Sequence, residues 1–329
     1  MRRILLTCTL PAVLAMFAAA ADEPLGNGAQ VASPPVIAGW IRELDAPTFV
    51  RREAAGRRLL DLGREAVEPI AAAVEQPLSL EAVQHAMRVL EGIAAGGDPE
   101  TTVVVKQTLV RLARSKNVTT AAKARESLRN HQQRILALLE RCGAAVEQNE
   151  GVVYSVSFDS ARVLGENLKL LHELPDIIHL SCGTALMDDA GLAAIAGLPK
   201  LRELNLFQAS ITDAGLKHLR SFPELRRVPM GFTNVTDRGL AELKDLTQLE
   251  YIGLRGDQIT DAGLPQLKNL VNLTGLHLGE TKVTDAGLPH LYGFKKLQTL
   301  SIWQTKATEA GFAELRKQLP QAELRTTSQ

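Results

Sequence analysis

From Val153 to the C-terminus, apolar positions recur with a period of 24 residues. Seven registers begin at Val153, Ile177, Leu201, Leu225, Leu249, Leu273 and Leu297. The fourth position of each is Val156, Leu180, Leu204, Val228, Ile252, Leu276 and Leu300; the sixth is Phe158, Cys182, Leu206, Met230, Leu254, Leu278 and Ile302. A spacing of two places both side chains on one face of a strand. Position 11 is apolar again, from Val163 in the first copy to Ala307 in the last. Beyond it the step becomes three, as in Leu216, Leu219 and Phe222 or Leu264, Leu267 and Leu270. That spacing predicts one buried face of a short helix.

Between strand and helix lies a nearly constant block: Ile211-Thr-Asp-Ala-Gly-Leu216, Val235-Thr-Asp-Arg-Gly-Leu240, Ile259-Thr-Asp-Ala-Gly-Leu264 and Val283-Thr-Asp-Ala-Gly-Leu288. Thr212, Thr236, Thr260 and Thr284 are placed to cap the helix by accepting from an orphan N–H. Asp213, Asp237, Asp261 and Asp285 then fall in the first turn, where the helix dipole favours a negative charge. Gly215, Gly239, Gly263 and Gly287 are expected to let the helix start lie close to the strand layer. A strand-turn-helix unit of this size cannot bury its own apolar face, so units must stack into a solenoid with one continuous core.

The Leu-x-x-Leu-x-Leu strand and the Ile-Thr-Asp-x-Gly-Leu block resemble the leucine-rich repeat family. They are most similar to the 24-residue variety of exported planctomycete proteins, and also to the repeats of F-box substrate receptors. The resemblance covers about 177 of the 329 residues. It implies an α/β fold of about seven units, binding rather than catalysis, and a concave strand face that meets the ligand. Two departures matter. The first copy reads Val163-Leu-Gly-Glu-Asn-Leu168, and the last carries Glu309 for Asp and Gln318 at an apolar position, as terminal capping units do.

The segment before the repeats has helical periodicity from about Ile37 to residue 145. Expected helices run from Thr48 to Leu62, stopped by Gly63; from Ala66 to Glu75, ended by Pro77; and over 80–93, 101–113 and 120–139. The run from Asp45 through Phe49-Val-Arg-Arg-Glu-Ala-Ala to Leu60-Asp-Leu-Gly63, Val67 and Ile70 resembles a HEAT-type α-hairpin repeat; an unrelated helical bundle is the other reading. The polar stretch Glu147 to Gly151 reads as a junction. At the N-terminus, Arg2 and Arg3 precede an apolar run from Ile4 to Phe17 and small residues Ala18 to Ala21. That is the outline of a signal peptide over residues 1–21, followed by a flexible leader over 22–36. The expected location is therefore exported: periplasm, cell envelope or secreted.

Composition narrows the chemistry. Lys plus Arg and Asp plus Glu both number 37, so the net charge is zero and no long-range field draws the chain to nucleic acid. No later segment is long and apolar enough to span a membrane. The seven histidines form no His-Glu-x-x-His pair, and neither a P-loop nor a Gly-x-Ser-x-Gly appears. No catalytic residue, metal or cofactor is expected. Cys182 occupies a position filled elsewhere by Leu, Met or Ile, and reads as a small buried hydrophobe. The Arg51, Arg52, Arg57 and Arg58 cluster lies among Glu53, Asp61, Glu65 and Glu68, and reads as a mixed, solvated face.

With aromatics at only 4% of the chain, those on the outward strand positions stand out. The candidate partner-binding residues are Glu203, Phe207, Arg227, Phe232, Tyr251, Arg255, His277 and Trp303, because aromatic and Arg side chains dominate binding hot spots. The expected partner is a protein or an extended peptide. The other readings are an F-box-like adaptor for ubiquitin ligation and an envelope carbohydrate binder.

Overall fold

The computed structural model describes residues 33–161, 165–183 and 186–327. The expected signal peptide, the leader up to residue 32 and Val163 lie outside the described residues. The chain divides into two compact units, with the boundary at Ala124 and Arg125.

The first unit is helical. Its elements are α1 (Pro34–Glu43), α2 (Phe49–Leu62), α3 (Val67–Val74), α4 (Leu80–Gly96), α5 (Pro99–Leu112) and the start of α6 (Val118–Arg141). Helix α1 begins at Pro34, inside the stretch expected to be leader; proline is well suited to the first turn, where its missing N–H costs nothing. Gly63, at φ 63°, ends α2, and a 3-10 turn over Gly63–Ala66 leads into α3. The caps follow the sequence chemistry. Ser79 accepts from the Ala82 N–H at 3.1 Å, and Asp98 accepts from the Thr101 N–H at 2.8 Å. That amide holds the Asp98 carboxyl below its usual range. Leu59, Ile70, Val74, Val83, Leu90 and Leu112 are fully buried between the helices. The arginine cluster is a mixed face: Arg51 and Arg58 pair with Glu43, and Arg52 with Glu81.

The second unit is built on one nine-stranded sheet: β1 (Ala145–Asn149), β2 (Val152–Ser157), β3 (His179–Ser181), β4 (Glu203–Asn205), β5 (Arg227–Pro229), β6 (Tyr251–Gly253), β7 (Gly275–His277), β8 (Thr299–Ser301) and β9 (Glu323–Arg325). Strands β2 to β9 are parallel and pair residue for residue at the repeat period: Leu180 with Leu204, Val228 with Ile252, Leu276 with Leu300. Positions 4 and 6 point inward as expected, and Cys182, Leu206, Met230, Leu254 and Leu278 are fully buried. Burial also pushes the Cys182 thiol far above its usual range, so it stays protonated.

Both ends of the sheet extend beyond the seven registers. The polar stretch read as a junction contains β1, which pairs antiparallel with β2. Glu150 (φ 49°) and Gly151 (φ 80°) form its two-residue loop, and two successive positive φ values match the right-handed twist of a hairpin. At the other end Leu324 keeps position 4 of an eighth register and adds β9, although position 1 has become Gln321. The C-terminal half of α6 supplies Ile135 and Leu139 to the core of this second unit.

The helical halves of the repeats depart from expectation in kind. Leu216–Ser221, Gly239–Leu243, Leu264–Leu267 and Leu288–Leu291 are 3-10 turns; α-helix is found at α7 (Asp189–Ala194) and α8 (Glu309–Gln318). Apolar residues stepping by three match the three residues per turn of that tighter helix. The Thr-Asp block also works differently. Each Asp reaches forward to the next unit: Asp189 to Thr212, Asp213 to Thr236, Asp237 to Thr260, Asp261 to Thr284 and Asp285 to Thr308. In every rung the carboxylate accepts from both the Thr N–H, at 2.7–2.9 Å, and the Thr hydroxyl, at 2.6–2.7 Å. The Thr hydroxyl, its proton committed to Asp, accepts from the N–H two residues on, as Thr260 does from Ala262 at 3.2 Å. The expected N-cap role belongs to Asp188 for α7 and Thr308 for α8, which accept from Gly191 and Gly311. The glycines make room for this ladder: a Cβ at Gly215, Gly239, Gly263 or Gly287 would collide with the carboxylate of the preceding rung.

Candidate functional site

The open face of the sheet carries every candidate residue, and the structure joins them in two groups. The first runs along position 3. His179 lies 3.6 Å from Glu203, the Nε of Arg227 donates to Glu203 at 3.3 Å, and the Arg227 guanidinium sits 4.7 Å above the Tyr251 ring. Two neighbouring glycines make room for Tyr251. A Cβ at Gly275 would strike the ring, and Gly253 lies beside the hydroxyl. Burial holds the Tyr251 phenol above its usual range.

The second group gathers around Arg255. Its guanidinium is 5.0 Å from the Phe232 ring and 4.6 Å from the Trp303 ring. Its Nε donates to Glu280 at 2.8 Å, and its Nη2 lies 2.6 Å from the same oxygen. Phe207 meets Phe232 edge to face at 5.5 Å, and His277 meets Trp303 at 5.9 Å. Burial, together with the Arg255 charge, holds the His277 imidazole below its usual range. Cation–π contacts of this kind contribute about 0.5–2 kcal/mol each, and the aromatic pairs about 0.5–1.5 kcal/mol.

Trp303 does not stand free on this face. It is 9% exposed, with its indole resting on Gly279 between His277 and Arg255. It supports the cluster, and its replacement would remove packing from the seventh repeat. Phe232, by contrast, is 38% exposed.

The turn that presents Phe232 was not evident from periodicity. Position 8 is left-handed in repeat after repeat: Gln208 (φ 63°), Phe232 (φ 59°), Gly256 (φ 73°), Glu280 (φ 59°) and Gln304 (φ 52°). This conformation belongs to the unit and carries a cost of about 1–2 kcal/mol at each residue bearing a Cβ. A bulky aromatic there is rare. Its ring is accommodated because Gly256 has no Cβ, which would otherwise overlap it. Asp257, also missed, is buried behind the same turn.

No protein-family profile and no curated protein matches the chain. Among solved structures it is similar to internalin C2 of Listeria monocytogenes, with 23% identity and a TM-score of 0.42, over 53% of this chain and 81% of that one. Internalin F of the same species gives 19%, 0.34, 54% and 61% in the same order. A leucine-rich repeat protein of Leptospira interrogans gives 18%, 0.34, 47% and 44%. The uniform strand register, the inward Leu ladder and the strand-turn-helix unit define the second half of this chain as a leucine-rich repeat solenoid following a helical unit. Among the described residues no helix is long and apolar enough to cross a membrane.

Proposed function

We propose that this protein is a non-catalytic recognition module that binds a protein or extended peptide on the open face of its repeat sheet. The observation that carries this reading is the clamped Arg255, in contact with the Phe232 and Trp303 rings and paired with Glu280. Fixing an arginine and its aromatic neighbours before binding reduces the conformational entropy lost in the complex. Such residues are the usual anchors of protein interfaces. Eight parallel strands at about 4.8 Å give a face roughly 34 Å long, which suits a macromolecular surface better than a metabolite. Stacking on sugars requires open ring faces. Arg227 covers Tyr251, and Arg255 lies over both Phe232 and Trp303, which weighs against the carbohydrate reading. The N-terminal Arg pair and apolar run support an exported location.

The test is proximity labelling in the native host, comparing wild type with the Arg227→Ala, Arg255→Ala double variant. Loss of specific partners, with affinity reduced at least about tenfold and an unchanged circular dichroism spectrum, is the expected result. An identical partner set would remove the open face as the binding surface.

A further inference from the structure

Position 9 follows the left-handed residue and is filled by Ala209, Thr233, Asp257, Thr281 and Thr305 in successive units. Thr281 and Thr305 turn back on their own strands, donating to the carbonyls of Leu278 and Ile302 at 2.7 and 3.0 Å. Asp257 does something else. It is 2% exposed, and its Oδ1 accepts from the Thr233 N–H at 2.7 Å and from the Thr233 hydroxyl at 3.0 Å. Its Oδ2 is buried with no hydrogen-bond partner. The bonds to Thr233 pin the residue directly after Phe232. Gly256, directly before Asp257, is the surface on which the Phe232 ring rests. One buried carboxyl therefore braces the strained turn that carries the exposed ring of the Arg255 cluster.

A carboxylate in this position is poorly served. Its two donors both reach Oδ1, leaving the other oxygen buried with no partner to share the charge. The neighbouring turns offer little relief. Phe232, Thr233 and Asn234 on one side are uncharged; Arg255 is committed to Glu280; Lys282 follows on the other side; and none of these charged side chains hydrogen-bonds to Asp257 among the described residues. We propose that Asp257 is a proton-operated staple of the recognition face: protonated, it holds the Phe232 turn and the ring–arginine cluster in place, and ionised, it leaves its buried site and lets the turn relax. This regulation rests on the reading of that cluster as the binding site. Burial pushes the Asp257 carboxyl up to about 7, so the transition falls near neutrality. An acid raised in the folded state binds more protons there than in the unfolded chain. The stability of the unit therefore falls as pH rises from about 4 towards 7 and levels off above. His277, held below its usual range, adds a separate change on the acid side.

The experiment needs no partner. Trp40 and Trp303 are the two tryptophans, so the full chain carrying Trp40→Phe reports Trp303 alone. Its emission is followed from about pH 5 to pH 9, through and beyond the titration range of a raised carboxyl. The expected result is a red shift centred near pH 7 that Asp257→Asn abolishes. A step near pH 7 that survives in Asp257→Asn, or no step near pH 7 in the parent, overturns the proposal; a change confined to the acid end and shared by both chains belongs to His277, which packs against Trp303. Because the Asn variant could fold poorly, the Asp257 carboxyl carbon is also titrated by NMR in the unmutated chain. A midpoint near 7 supports the staple, and a midpoint near the ordinary value of about 4 overturns it. These readouts can fail while Arg227 and Arg255 still prove essential for partner capture, so the two readings stand or fall separately.

Discussion

The two polar surfaces of each repeat follow opposite rules. Along the Thr-Asp edge four successive units repeat the same pair, and the Asp at each rung from Asp189 to Asp285 makes the same two bonds to the unit ahead. Across the open sheet face the residues change from unit to unit: position 3 runs His179, Glu203, Arg227, Tyr251, Gly275, Thr299. The first surface joins units, and that task is identical at every junction. The second has no task common to all junctions, so its side chains build local clusters that bridge particular units, as Arg227 does to Glu203 and Arg255 to Glu280. Uniformity marks the residues that hold the solenoid together, and irregularity marks the residues that give this solenoid its own surface.

The core beneath both surfaces provides the most severe test of the repeat register. Leu254→Ala or Leu278→Ala should each cost about 2–5 kcal/mol, since both are fully buried and the stacked units cannot collapse around the cavity. Chemical unfolding monitored by circular dichroism measures it. An unchanged midpoint in either variant would mean that the inward ladder is misassigned.

The edge can be broken more selectively. Asp237→Ala removes both bonds to Thr260 and strands a partly buried N–H, at a cost of about 1–3 kcal/mol. Gly263→Ala forces a methyl into the Asp237 carboxylate, costing about as much. In combination the two should cost less than their sum, because removing the carboxylate removes the collision. A double-mutant cycle with a coupling of at least ~0.5 kcal/mol in that direction is expected. Strict additivity would show that glycine is required there for some other reason. The outermost rung sharpens the contrast: Asp285 holds an exposed Thr308, whose two bonds lower its carboxyl, and Asp285→Ala should destabilise less than Asp237→Ala.

The same contrast explains what could be read in advance. Periodicity made the inward positions plain, and two-residue alternation put Glu203, Arg227, Tyr251 and His277 on the open face. What stacking creates was hidden. A bond from Asp237 to Thr260 depends on the height of one unit above the next, and nothing local to Thr-Asp reveals it; the local chemistry suggested a cap instead. The left-handed turn was hidden because Gln208, Phe232, Glu280 and Gln304 are not residues that favour a positive φ, and Gly256 alone hinted at one. Asp257 stood out at a position otherwise held by Ala or Thr, but its burial depends on the turn that periodicity did not show. At the ends of the sheet, Glu150-Gly151 and Leu324 were the available signs of β1 and β9, each weakened by polar neighbours.

The smallest effect separates what the turn requires from what the cluster requires. Gln304 is exposed and holds a positive φ of 52°, and the Arg255 contacts are made by Phe232, Trp303 and Glu280 instead. Gln304→Gly relieves the Cβ strain and increases the freedom of the unfolded chain; the difference leaves a gain of roughly 0.5–1 kcal/mol. Phe232→Gly relieves the same strain but removes the ring that meets Phe207 and Arg255, so the gain should vanish or reverse. Thermal unfolding of the two variants in parallel decides it. If both are stabilised alike, the Phe232 contacts contribute nothing to the fold, and any value they have must lie in binding; if Gln304→Gly is destabilised, the left-handed turn is favourable for this side chain and Phe232 is not strained by it.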